Sequence, residues 1–306
     1  MDNINIVFNI DRNFVQHCAA SLNSVLQSFK GEQKLSFFIV HKDLTTDDIS
    51  KLKSFENNNC KIQFVLIDGK LLEDLPIGGN TISNEITLSA YFRLFLPILL
   101  PISVEKVVYL DADTITIKSI DLLWNETLDN YALGGVPDKE SNQVYNKTRL
   151  GISGDYKYIN SGVLLMNLSF LRDIHFVDLA LQYITKNKDS IVYHDQDVIN
   201  ALLYDKVKIV SYKWNMMDCY LYKHPNCDPK MTNEVLVYQT SPGIIHFAGY
   251  FKPWNIECRN PYRELYVKAL KGTIWEGFVK MRKLQKPMEI IKFYVKCCLK
   301  ANSYFN

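Results

Sequence analysis

Short apolar runs that alternate with helically patterned segments constrain this chain more than any other feature. Residues 4–10, 35–40, 62–67 and 107–110 read as strands, and between the first two Val15, Cys18, Ala19, Leu22, Val25, Leu26 and Phe29 recur at helical spacing. Thr45, with Asp48 three residues on, predicts a capping box and a helix through Phe55. Residues 91–96 look helical and end at Pro97; a strand over 158–168, a helix over 195–204 and short strands at 207–211 and 243–247 follow. Strands joined by helices predict a mostly parallel sheet covered on both faces, with ligands outside the carboxyl ends of its strands. Asp11 and Asp111 both fall there.

The 306 residues allow one large domain or two ordinary ones, and 47% hydrophobic with 22% charged residues matches a globular chain with a sizeable core. A net charge of +2 is too small to argue for nucleic acid, so no nucleic-acid partner is expected. Seven scattered cysteines contain no C-x-x-C pair and read as reduced thiols. The opening MDNINIVFNI carries no signal-peptide pattern, and no apolar run reaches spanning length, so a cytoplasmic protein is expected. With no repeat or Gly/Ser linker, residues 1–270 read as one catalytic domain, followed by a basic extension over 271–306.

The stretch VVYLDADTI, residues 107–115, ends in two aspartates one residue apart. At strand spacing, residues i and i+2 share a side, so Asp111 and Asp113 converge on one hard cation; without it, like charges this close repel. Two chemistries use such a tip. A haloacid-dehalogenase-type phosphatase takes a nucleophile and a general acid from D-x-D-x-T, a string that DADT over 111–114 approaches. A nucleotide-sugar transferase instead holds a divalent metal against a pyrophosphate. The phosphatase needs a downstream acidic pair and a glycine before the threonine, neither of which is present, so the transferase is favoured.

Taken in order, IVFNIDRNF (6–14), YFRLFLP (91–97), VVYLDADTI, YINSGVLLMNL (158–168), HDQDVIN (194–200) and IIHFAGYFKPW (244–254) resemble glycosyltransferase family 8. These are retaining transferases that include the galactosyl- and glucosyltransferases of bacterial lipopolysaccharide synthesis. The resemblance implies an α/β GT-A fold, Rossmann-like, with a mostly parallel central sheet flanked by helices. It implies transfer of glucose or galactose from a UDP-hexose donor to an oligosaccharide or lipid-linked glycan acceptor, in lipopolysaccharide or other cell-surface glycan synthesis.

The same resemblance assigns roles. Asp111, Asp113 and His246 match ligands for Mn2+, with Mg2+ as the alternative; two carboxylates and an imidazole suit manganese. Ala112 lies between the carboxylates in the donor site. Gly249 lets backbone approach the donor phosphates, and Lys252 adds positive charge to them. Asp11 and Asn13 hold uracil and ribose. Phe14 stands where tyrosine is common, which keeps stacking and loses a phenolic hydrogen bond. Asn9 replaces a small residue and is expected to act through its backbone. Arg93 orients the donor or the aspartates, unless it is a helix-surface salt bridge. Asp138, Asn160, Asp195 and Gln196 surround the transferred sugar, Asp195 otherwise reading as a helix N-cap. Double displacement needs a carboxylate nucleophile, yet Gln196 stands at that position. Same-face attack through a short-lived ion pair is therefore expected, with Asp195 as the alternative nucleophile. Segments 139–155 and 216–230 are expected to shape the acceptor groove, the first as a lid.

In the C-terminal extension Lys292, Lys296 and Lys300 fall four apart, leaving Ile291, Tyr294, Val295, Cys298 and Leu299 for another face. A basic amphipathic helix of this kind predicts a peripheral anchor on an anionic membrane surface, at the inner face of the cytoplasmic membrane, against a solvated or docked tail. The rival functions are a non-catalytic nucleotide-sugar-binding scaffold and a hydrolase that frees the sugar.

Overall fold

A computed structural model describes residues 3–72, 75, 88–221, 229–249, 251–255 and 258–277. The strand β1 (Ile4–Asn9) is buried along nearly its whole length, and β2 (Leu35–His41) along all of it, the pattern of parallel strands covered on both faces. β3 (Cys60–Leu66) alternates buried and exposed residues because it is an edge. The strands β4 (Lys106–Leu110), β5 (Thr114–Thr116), β6 (Leu133–Pro137), β7 (Ile159–Asn167), β8 (Val207–Ile209), β9 (Met216–Met217) and β10 (Ile244–His246) complete two sheets. The larger has the order β3-β2-β1-β4-β7-β6-β8, and the smaller β5-β10-β9.

Four of the six pairings in the large sheet are parallel, as expected; β7 runs antiparallel to both β4 and β6. Period-two alternation divides the core. Ile6 and Phe8 join Val15, Leu22 and Trp214 on one face, whereas Val7 joins Tyr91, Tyr109 and Phe176 on the other. Phe8 is fully buried and stacks on Phe37 at 6.3 Å, so truncating it to alanine costs about 3 to 5 kcal/mol.

The helix Val15–Ser28 packs its apolar stripe onto the first face, and the Thr45–Asp48 capping box opens the helix Thr46–Lys53. One expectation is revised, one alternative falls, and the segment expected as a lid gains a helix. Pro97 does not end a helix: a 3-10 turn, Leu88–Phe95, runs into the helix Leu96–Leu99, where Pro97 occupies the first turn and its missing N–H costs nothing. Asp195 is not an N-cap, since the helix starts at His194 and its cap is Tyr193. The segment expected to form a lid contains the helix Glu140–Leu150, held down by Gln143, whose amide bridges the Asp138 and Tyr158 carbonyls and accepts the Tyr158 N–H. At the C-terminal end, Trp275 stacks on Phe55 at 6.2 Å. The basic helix expected beyond residue 277 lies outside the described residues, as do 222–228 of the second acceptor segment.

Candidate active site

β4 ends at Leu110 and the chain turns before leaving as β5, with Thr114 donating both N–H and Oγ1–H to the Asp111 carbonyl. Asp111 and Asp113 therefore converge from a turn, rather than from alternating positions of one strand. β10 pairs antiparallel with β5, setting His246 opposite Thr114, and the Phe247 N–H donates to the Asp113 carbonyl at 3.0 Å. This register brings one ligand atom each from Asp111, Asp113 and His246 within 4.8 Å of one another. His246 Nε2 lies 3.3 Å from Asp113 Oδ1 and 3.7 Å from Asp111 Oδ2. Asp113 Oδ1 is buried without a hydrogen-bond partner among the described residues. Gly162 makes the room: a Cβ there would meet His246 Cε1 at 2.2 Å and Asp111 Oδ2 at 2.7 Å. Two carboxylates, one of them with an unsatisfied buried oxygen, and an imidazole fit a divalent cation of the borderline kind.

Two cations frame this cluster. Lys252 Nζ donates to Asp113 Oδ2 at 2.6 Å and to the Phe247 carbonyl at 2.8 Å. Burial alone would raise the Asp113 carboxyl, but Lys252 and His246 outweigh it and hold the group well below the carboxylate range. Arg93 is buried rather than on a helix surface. Its Nη2 donates to Asp111 Oδ1 at 2.9 Å, its Nε lies 2.9 Å from Asp195 Oδ2, and its Nη1 donates to the Ser161 carbonyl. The guanidinium also sits over the Tyr109 ring, whose hydroxyl donates to Asp111 Oδ1 at 2.7 Å. One cation thus serves two carboxylates. For Asp195 it is insufficient: burial, with Asp111 nearby, lifts the carboxyl to about 6 against the pull of Arg93.

Three of the four expected sugar-side residues, Asp138, Asn160 and Gln196, form one hydrogen-bonded group, with Asp195 beside them on Arg93. Gln196 Nε2 donates to Asp138 Oδ2 and the Tyr158 hydroxyl, and its Oε1 accepts from Asn160 Nδ2 and the Ser161 N–H. Asn160 Oδ1 accepts from the Gly162 N–H and from Asn215 Nδ2, and Asn215 Oδ1 meets His246 Nδ1 at 2.9 Å. Beneath them Asp197 takes a two-pronged bond from Arg149, a third from the Tyr158 hydroxyl and the backbone amides of Val192 and Tyr193. Those bonds over-determine the turn at His194, whose φ of 48° is left-handed. Asp197, Tyr158 and Asn215 had no role assigned from the sequence; of the two aspartates in the DQD string the family resemblance singled out only Asp195.

At the neighbouring strand end, the register of Val7 opposite Tyr109 brings Asn9 level with Asp111. Asp11 Oδ1 caps the turn Arg12–Phe14 by accepting the Asn13 N–H at 2.8 Å, leaving Asn13 exposed. Phe14 stands edge-on to Trp254 at 6.0 Å, and Trp254 stacks on His17 at 3.5 Å. Asn9 is buried, yet neither amide atom has a partner among the described residues, which gives its side chain two groups to offer a ligand. Ala112 is buried between the aspartates. Gly249 abuts Asp218, whose Oδ2 would lie 2.7 Å from a Cβ at that position.

Known proteins resemble the chain over most of its length. General stress protein A of Bacillus subtilis is 26% identical over 280 residues, 89% of this chain and 94% of that protein. A lipopolysaccharide 1,2-glucosyltransferase of Escherichia coli is 27% identical over 279 residues, 89% and 79% of the two chains. The galactosyltransferase LgtC, solved in complex with donor and acceptor sugar analogs, superposes with a TM-score of 0.78 at 23% identity, covering 90% of this chain and 99% of that one. The architecture is the GT-A fold. With the model of glycosyl transferase family 8 matching residues 5–258, the chain belongs to that family and is a glycosyltransferase.

Proposed function

We propose that this protein transfers a hexose, glucose or galactose, from a UDP-sugar to a glycan hydroxyl with retention at the anomeric carbon. The observation that carries this reading is the convergence of Asp111, Asp113 and His246 beside Lys252 at the carboxyl edge of the sheet. Those three residues would hold Mn2+ or Mg2+, which as a Lewis acid supplies neutralisation of the charge on a departing diphosphate.

The chain's own groups do the rest. Lys252, held on the rim of the cluster by Asp113 and the Phe247 carbonyl, offers a positive charge to the diphosphate. Asn9, Asp11, Asn13 and Phe14 receive the uridine. Asp138, Asn160 and Gln196 present fixed acceptors and amide donors to sugar hydroxyls, because a buried polar group left unpaired rejects a mismatched sugar. Neither candidate nucleophile is free: Gln196 is an amide held by four hydrogen bonds, and the Asp195 carboxylate is engaged by Arg93. This favours same-face attack through a short-lived ion pair, in which the bond from C1 to the diphosphate oxygen breaks and the acceptor oxygen then bonds C1 on that same face. The leaving diphosphate oxygen takes the acceptor proton.

The Escherichia coli relative's name points to lipopolysaccharide or another cell-surface glycan as the acceptor class. On this reading the enzyme works at the inner face of the cytoplasmic membrane, with the basic extension after residue 270 meeting anionic lipid. Among the described residues no helix is long and apolar enough to cross a membrane. Incubating the protein with Mn2+ and a panel of nucleotide sugars tests the donor. Release of UDP from one hexose donor, absent in Asp111→Ala/Asp113→Ala, is expected; no consumption and no metal-dependent binding of any donor would sink the proposal.

A further inference from the structure

We infer that Asn215 is a positioning residue for His246, and that it joins the metal ligand to the sugar-facing residues through a hydrogen-bond chain of fixed polarity. The inference rests on the functional reading above. Asn215 is fully buried at the end of a 3-10 turn, Tyr212–Asn215, just before β9, so water does not replace either of its contacts.

The polarity follows from groups that have no choice of role. A carboxylate oxygen only accepts, so Asp138 Oδ2 takes an N–H from Gln196 Nε2 at 2.8 Å. A backbone N–H only donates, so the Ser161 amide fixes Gln196 Oε1 as an acceptor, at 3.0 Å. The same oxygen accepts Asn160 Nδ2, and the Gly162 N–H independently fixes Asn160 Oδ1 as an acceptor, again at 3.0 Å. Asn215 therefore presents its Nδ2 to Asn160 Oδ1, at 2.8 Å, and its oxygen to His246 Nδ1, at 2.9 Å. An amide oxygen requires the hydrogen on Nδ1. That leaves Nε2, the atom 3.3 Å from Asp113 Oδ1, to meet a metal through its lone pair. Flipping Asn215 would set its oxygen against Asn160 Oδ1, which already accepts the Gly162 N–H, so the amide orientation at His246 is fixed from the Asn160 side. The ring is held in one tautomer and one orientation by residues that reach the sugar side of the site.

Two substitutions separate positioning from mere support. Asn215→Leu removes both contacts and should weaken Mn2+ binding to the full-length protein about 10- to 100-fold, read by electron paramagnetic resonance without any nucleotide. Asn215→Asp keeps an acceptor for His246 and loses the donor to Asn160. It should hold Mn2+ within about threefold of wild type while raising the KM of whichever sugar nucleotide the wild type consumes. If the leucine variant does not fold, judged by thermal unfolding, the aspartate variant carries the test alone. Wild-type affinity for Mn2+ in Asn215→Leu, or a metal loss in Asn215→Asp as large as the leucine range, would overturn the inference. A wild type that binds no Mn2+ even with UDP present would remove the functional reading itself.

Discussion

Replacing Asp195 by asparagine should reveal which force governs this carboxylate, because burial and Arg93 act on it in opposite directions. Burial lifts the group from its ordinary 3.8 to about 6, Arg93 notwithstanding, since the guanidinium is shared with Asp111. Asp195 is only 4% exposed, so little solvent screening reduces the effect. A displacement of about two pH units corresponds to about 3 kcal/mol. The folded state then binds this proton more tightly than the unfolded chain, so the contribution to stability is complete below pH 3.8 and lost as pH rises through about 6. Asparagine does not titrate. Urea unfolding of chelator-treated wild type and Asp195→Asn from pH 4 to 8 should show the difference moving by about 2 kcal/mol in favour of the variant between pH 4 and 7, the rest of the full amplitude lying below pH 4. Taking the difference cancels the titration of groups elsewhere. A flat difference would refute the dominance of burial. A wild type that gains on the variant with rising pH would show that Arg93 wins.

Gly162→Ala should cost at least about tenfold in Mn2+ affinity, since its Cβ would sit 2.2 Å from His246 Cε1; calorimetric titration checks this against a retained unfolding transition. Gln196→Ala should lower turnover without abolishing it, because no covalent intermediate depends on the amide. Complete loss with a sugar trapped on Asp195, read by mass spectrometry of the intact protein, would overturn that mechanism. Asn9→Ala should leave stability within about 0.5 kcal/mol, having no partner to lose among the described residues, while weakening UDP binding about fivefold in a titration.

Local signals were legible in the sequence. β1 and the helix Val15–Ser28 follow from apolar periodicity, and the Thr45–Asp48 box from two residues three apart. β6 was not legible, because LGGVP carries two glycines and a proline and reads as a turn, yet its burial is complete. The reversal of β7 also has no local signature, since a central strand is apolar in either direction. At the site, Asp111, Asp113, His246, Lys252, Arg93 and Asp195 are brought into shared contacts, and Asp138, Asn160 and Gln196 into one network. Asn215 stayed hidden because its meaning lies wholly in partners 55 and 31 residues away in the chain. Phe14 retains an aromatic face, but its ring leans edge-on against Trp254, a contact that no spacing in the sequence announces.

The small sheet sets a timetable for the emerging polypeptide. The seven-stranded sheet has all its strands once Ile209 is made, whereas His246 arrives 37 residues later, at the end of β10. At a synthesis rate of about 5 to 20 residues per second, roughly 2 to 7 s separate the last residue of the large sheet from the third side chain of the candidate metal cluster. During that interval Asp111 and Asp113 lack their imidazole, and Ile244, Ile245, Phe247, Tyr266 and Leu270 of the core beneath them are still to come. The Asp111–Asp113–His246 cluster is thus assembled only when the antiparallel pairing of β10 with β5 draws distant segments together, late in the chain.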